Sequence, residues 1–258
     1  MKASLVQAIA TLGSRYQREE LGYYDAEALG KDWWLALDFF LNRASFQGRR
    51  DDISYRVYQE IRGVLAPEFA GDRDGIRYQL HREQGWLTIR SGLEQRIGRG
   101  MVGKTRDIAM VVSTLQFIGT IPDRNMVAYS VKRIRQGELA EHYRELQAYT
   151  NSQGIVQVGP KIASFYARDV VALFGLGSLI AAGASFYLHP VDVWVKRLLV
   201  KTGDVDQNAG DTAIRQAIVA ICKEHGCSPV EFNQGAWYIG THSFDLLLEK
   251  LTEAEHLL

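Results

Sequence analysis

Two short stretches of the chain hold residue types that can do chemistry. The first is Ile155-Val156-Gln157-Val158-Gly159-Pro160-Lys161-Ile162-Ala163, a short apolar hairpin running into a proline suited to open a helix. A hairpin so placed presents consecutive backbone N–H groups, around Gln157, Val158 and Gly159, at a helix N-terminus. Such donors suit a DNA phosphate and read no base sequence. A plain interhelical turn ending in Gly-Pro is the competing reading. The second stretch is His189-Pro190-Val191-Asp192-Val193-Trp194-Val195. Pro190 again suits a first helical position, which puts Asp192 in the first turn, where the helix dipole keeps a carboxylate ionised. Its apolar neighbours predict burial, and a buried anion is costly unless it has a job or a partner. The alternative is an aspartate that only stabilises its own helix.

The elements that must position these stretches read as helices, and the fold class is all-α. Trp33-Trp34-Leu35-Ala36-Leu37-Asp38-Phe39-Phe40-Leu41 is an apolar helix after Lys31-Asp32. Asp52 is placed to cap a helix with the stripe Ile53, Val57, Ile61 and Leu65, and Pro67 marks its end. Thr105 caps a third, which runs to about Ile118. Two more, Met126 to Ile134 and Glu138 to Tyr149, are separated by Gly137, and another opens at Asp211 and closes at Gly226. Ser228-Pro229-Val230-Glu231 has the pattern of a capping box with proline at the first helical position. Only Ile76 to Leu80 and Trp86 to Ile89 alternate in the strand period, predicting a small β-hairpin near 76–89. The first and last thirds are expected to pack as two helical lobes on a shared middle.

Composition excludes several classes. With 258 residues, 47% hydrophobic and 23% charged, the chain has the makings of a large buried core. Cys222 and Cys227 are too few for a disulfide scaffold or a four-cysteine metal or iron–sulfur site, and they read as reduced thiols. No secretory signal stands at the start, and the expected location is the cytoplasm. The most apolar stretch, Ile162 to Leu188, is interrupted by Arg168, Asp169 and several small residues, so it reads as buried core rather than a membrane span. Net charge is zero but uneven: Arg43 to Arg106 holds twelve Arg and one Lys against eight acids, whereas Thr202 to Leu258 holds three bases against nine acids. The basic half suits a polyanion, and a solvated charged surface explains it equally well.

Together, Val158-Gly159-Pro160-Lys161-Ile162-Ala163 and Pro190-Val191-Asp192-Val193 resemble the helix–hairpin–helix DNA glycosylase superfamily, the endonuclease III and 8-oxoguanine DNA glycosylase group. That family's hairpin ends in Gly-x-Lys, and its Pro-Val-Asp or Gly-Pro-Asp element carries an essential aspartate. The likeness is specific over roughly 138–200, with the helix–hairpin–helix element at about 138–175. It implies one two-lobed helical domain over 1–258. Lys161 matches the Schiff-base lysine of the bifunctional members and Asp192 matches the aspartate. In three places the chain departs from the pattern. Gln157 replaces the first glycine of the hairpin; 31 positions separate Lys161 from Asp192, with the extra length around 175–188; and Trp194 stands where a histidine is often found. With no four-cysteine cluster, the likeness is to the 8-oxoguanine-type or archaeal-type enzymes.

The resemblance implies a bifunctional glycosylase and AP lyase that removes an oxidised purine, chiefly 8-oxoguanine, from double-stranded DNA. It implies a monomer with no metal or cofactor. Attack on the sugar requires a neutral amine, a form favoured at helix N-termini and in partly desolvated pockets. A nearby carboxylate would stabilise positive charge on the sugar as the base leaves. Base extrusion also needs a filler for the vacated stack and a pocket. Asn42 and Gln47, in the loop after the tryptophan-rich helix, are candidates for the first; Gln234 and Trp237, on the C-terminal helix, are candidates for reading the flipped base. A non-catalytic helix–hairpin–helix module and a monofunctional glycosylase for another lesion are the alternatives.

Overall fold

The computed structural model describes residues 1–98, 104–147, 153–181 and 183–254. Among these residues there are thirteen α-helices and no strand; the only β feature is an isolated parallel bridge between Gln147 and Ile155. The chain divides into two compact units, one made of Met1–Tyr24 with Ala167–Leu258 and the other of Asp25–Tyr166. This grouping differs from the expected one: the two ends of the chain fold together, and the middle is a unit of its own.

In the middle unit, Asp32 caps helix Trp33–Ala44 by accepting the N–H groups of Trp34 and Leu35. That helix buries Trp33, Trp34, Leu37, Phe39 and Phe40. Helix Asp51–Phe69 carries the expected stripe but does not stop at Pro67. Burial of Phe69 against Trp33 and Tyr78 draws the chain on by two residues, and Arg77 donates to the carbonyls of Pro67 and Ala70 at its end. Helix Thr105–Ile118 starts one residue earlier than a Thr105 cap requires: Lys104 is the cap, and its N–H donates to the Asp107 carboxylate. The Glu138 to Tyr149 helix is observed as Leu139–Glu145, and the rest of the expected span from 148 onward lies outside the described residues.

The β-hairpin near 76–89 is corrected to two helices, Ile76–Glu83 and Leu87–Leu93. The Asp72 carboxylate accepts the N–H groups of Arg77 and Tyr78, and Gly75 takes a left-handed turn at φ 67°, which together start a helix. In the first of them the buried residues are Tyr78 and His81, three apart, whereas Ile76 and Leu80 are exposed, so the alternation of Ile76 to Leu80 marks no buried face.

In the unit formed by the chain ends, helix Ala3–Tyr16 packs directly on helix Pro229–Ala254, which is interrupted at Ser243. Two glycines permit the approach. A Cβ at Gly235 would sit 1.8 Å from the carbonyl oxygen of Ile9, and one at Gly13 would sit 2.2 Å from that of Glu231. Val6, Ile9, Leu198, Ile214, Ile218, Phe232 and Ile239 fill the core between helices. The segment after Leu173 is not the buried core expected of it: Gly175, Gly177, Ser178 and Leu179 are exposed, and two short 3-10 turns, Gly177–Leu179 and Ala184–Leu188, carry the chain to His189.

Candidate DNA-binding and catalytic residues

The hairpin belongs to the middle unit. It is anchored by Ile155, whose N–H donates to Leu146, and by Val156, whose N–H donates to Ser113 Oγ at 3.0 Å. Gln157 turns the chain at φ 66°, in the left-handed region, with its side chain exposed. Gln157 thus adopts the conformation natural to a glycine rather than opening the turn. Gly159 accepts from the N–H of Ala163, which makes it the cap of helix Pro160–Leu173 and puts Lys161 at the second helical position. Of the three expected phosphate donors, Val158 is corrected: its N–H closes the turn on Ile155 at 3.1 Å. Gln157 and Gly159 N–H groups meet no acceptor among the described residues. The N–H groups of Lys161 and Ile162 are first-turn donors with no intrahelical partner.

The same unit brings the loop after Trp33–Ala44 to Lys161. Lys161 Nζ donates to the carbonyl of Phe46 at 3.4 Å, and the Phe46 ring meets Phe165 edge-on at 6.0 Å. Gln47, next in the loop, is half-buried; its amide donates to Met110 Sδ and its carbonyl accepts from Arg106. Arg49 pairs with the buried Asp107 and fixes the far end of the loop. Asn42 Oδ1 accepts from Arg43, which is itself buried over the Phe39 ring. Lys161 and Gln47 therefore share one neighbourhood, whereas the amide of Asn42 is held against its own helix.

Asp192 belongs to the other unit, and its expected setting is corrected. It is the N-cap of helix Val193–Lys201, not a first-turn residue: Oδ1 accepts from Trp194 N at 3.0 Å and Val195 N at 2.9 Å. Pro190 lies ahead of the helix; His189, Pro190 and Val191 are buried as expected, Asp192 itself is half-buried, and Val193 is 67% exposed. An aspartate prefers the cap, where its oxygen satisfies donors that the helix leaves open. Close by in sequence, His189 is fully buried with neither ring nitrogen hydrogen-bonded among the described residues. Burial, reinforced by the charges of Arg215 and Arg168, pushes its pKa down to about 3.

This unit also holds a buried polar network that sequence reasoning missed. Arg168 is fully buried; Nε donates to Asp169, one terminal nitrogen to Asn233 Oδ1 at 2.9 Å and the other to the Tyr16 hydroxyl at 2.8 Å. Tyr16 donates in turn to Asp169 at 2.8 Å, and Asn233 Nδ2 donates to the Pro190 carbonyl at 3.4 Å. Gln234 is fully buried too, accepting from Gln17 at 2.8 Å and donating to Asp169 at 3.5 Å, so its amide is committed inside the protein. Trp237 is half-buried and meets Tyr16 edge-on at 5.3 Å. One signal was available: Arg168 and Asp169 interrupt an apolar run, where neither charge is tolerable without partners.

The chain matches no protein-family model and shows no significant similarity to a curated protein or to a solved structure. Among the described residues, no helix is long and apolar enough to cross a membrane.

Proposed function

We propose that the protein is a bifunctional DNA glycosylase and AP lyase for an oxidised purine, 8-oxoguanine above all, in double-stranded DNA. The observation that carries this reading is the setting of Lys161. Its amine stands in the first turn of a helix whose N-terminus leaves backbone donors without an acceptor among the described residues, and it contacts the loop that carries Gln47. Donors at Gln157, Gly159 and the first helical turn would hold a phosphate, and Gln47 would fill the stack from which the lesion has swung. Val158 has no part in the phosphate contact.

The Lys161 nitrogen attacks C1′ of the lesion nucleotide as the N-glycosidic bond breaks, and the base leaves with a proton. Ring opening gives an imine, loss of the C2′ proton follows, and the C3′–O bond breaks on the 3′ side of the lesion. Asp192, held by two N–H groups, would oppose the positive charge that grows on the sugar. Trp237 offers a half-exposed ring for stacking the flipped base. Base recognition by Gln234 would first have to break its bonds to Gln17 and Asp169. The protein is taken to act as a cytoplasmic monomer, without metal or cofactor.

The test is borohydride reduction in the presence of duplex DNA. A covalent complex with 8-oxoguanine duplex, and none with undamaged duplex, is the expected result. Tight binding without base release would leave a non-catalytic module. Base release without a trapped complex would leave a monofunctional glycosylase.

A further inference from the structure

We infer that Arg168 is a positioning residue for Asp192, acting through Asn233 and the Pro190 carbonyl; the inference rests on the glycosylase reading. Arg168 fixes the orientation of the Asn233 amide. With Oδ1 facing the guanidinium at 2.9 Å, Nδ2 is turned to Pro190, and exchanging the two would set donor against donor at Arg168 and acceptor against acceptor at Pro190. Pro190 lies two residues ahead of the capping carboxylate, so this bond braces the turn from which Asp192 leads into its helix. Asp169 pairs with it, Tyr16 and Asp192 add to the field that keeps it charged, and its own charge, with that of Arg215, helps to keep the nearby His189 neutral.

Stability alone does not account for such a residue. A buried ion pair can usually be replaced by apolar side chains of similar volume without loss. What an apolar replacement cannot supply is a fixed amide orientation and a buried positive charge near the carboxylate.

Three variants separate the possibilities. Arg168→Lys keeps a charge, Arg168→Gln removes it, and Asn233→Ala cuts the link to Pro190 while leaving Arg168 paired with Asp169. Base release from 8-oxoguanine duplex and cleavage of a pre-formed abasic duplex are compared. Arg168→Gln and Asn233→Ala are expected to lower kcat for base release about 30- to 100-fold, with KM and abasic cleavage each within about three-fold of wild type. Arg168→Lys should recover base release to within about five-fold of wild type. Equal losses on both substrates, or lysine no better than glutamine, would overturn the inference. If Arg168→Gln does not fold, Asn233→Ala makes the same comparison.

A second readout is independent of catalysis. The amide protons of Trp194 and Val195 should exchange with D2O about ten-fold faster in Asn233→Ala, and unchanged exchange would also overturn the inference. A wild-type protein that neither releases base nor traps, alongside faster exchange in Asn233→Ala, would remove the glycosylase reading and leave the brace standing.

Discussion

The Lys161 hairpin and the Asp192 turn each lead into a helix, and they are built on opposite plans. The hairpin turns at an exposed, left-handed Gln157 and leaves the Gln157 and Gly159 N–H groups without an acceptor among the described residues. Its one side-chain amine makes a long contact of 3.4 Å with a carbonyl. The Asp192 turn is held from inside. Its carboxylate caps a helix through two N–H groups, Pro190 accepts from a fully buried asparagine, and behind that lies an arginine bonded on three sides. Unengaged donors and an amine held by one long contact suit a group that must meet a variable partner and form a bond with it. A carboxylate fixed beforehand suits electrostatic work, which gains most when no reorganisation is needed as charge develops.

The comparison breaks most sharply at Lys161. Lys161→Gln should leave no detectable trapped complex and lower strand cleavage by about 10³-fold or more, while lesion binding stays within a few-fold. Cleavage at the wild-type rate would mean that another amine is the nucleophile. Asp192→Asn comes next. Asparagine is as good a cap as aspartate, so the protein should fold and bind, yet base release should fall roughly 10²- to 10³-fold. Cleavage of a pre-formed abasic site, where no base must leave, should fall much less. Mild and equal effects on both substrates would leave Asp192 a capping residue only.

The hairpin's role in binding is sharpened by salt. If about four phosphates are neutralised, affinity for undamaged duplex should drop about 10²-fold between 50 and 200 mM salt. A flat response would mean that the arginine excess in Arg43 to Arg106 is a solvated surface.

The two regions also differ in how much of them the sequence discloses. Gly-Pro-Lys announces the start of a helix because proline and glycine restrict the backbone locally, and the structure puts that helix at Pro160–Leu173. The all-helical class follows from apolar spacing, which is also a local property. The alternation in Ile76 to Leu80 misled because spacing says which residues are apolar but not which are buried. The Arg168 network is legible only in part: two charges in an apolar run say that partners must exist but not which. Tyr16 and Asn233 are brought together by packing across Gly13 and Gly235, and nothing local at Arg168 names either as its partner.

Acid should load both units through buried histidines. His142 in the middle unit and His189 in the other both have pKa values lowered by burial. Below the ordinary histidine value near 6.5, the unfolded chain binds protons that the folded chain refuses. The stability from each neutral imidazole is therefore complete above that pH and is lost as pH falls, by up to about 1.4 kcal/mol per pH unit for each. For His189 the loss continues down to about pH 3. Denaturant melts at pH 7.5, 6.0 and 5.0 check this. His189→Leu should flatten the slope attributed to the unit formed by the chain ends, and an unchanged slope would mean that His189 takes up its proton without cost.

The smallest expected effect is at Gln157, and it tests whether the hairpin keeps a glycine's conformation without the glycine. A left-handed backbone costs a residue with a Cβ about 1–2 kcal/mol, and glycine escapes that cost. Glycine also gives up more freedom on folding, about 0.5–1 kcal/mol, so the net gain from Gln157→Gly lies between zero and about 1.5 kcal/mol. The Gln157 side chain is exposed, so its removal should forfeit no packing. The melting temperature of the middle unit should therefore rise by up to about 3–6 °C. Duplex affinity should stay within about two-fold, because the donors are backbone N–H groups that the substitution does not remove. A fall in melting temperature would show that the amide of Gln157 makes a stabilising contact. A marked loss of DNA affinity with stability preserved would make Gln157 a side-chain reader of DNA, and the hairpin would then bind by more than its backbone.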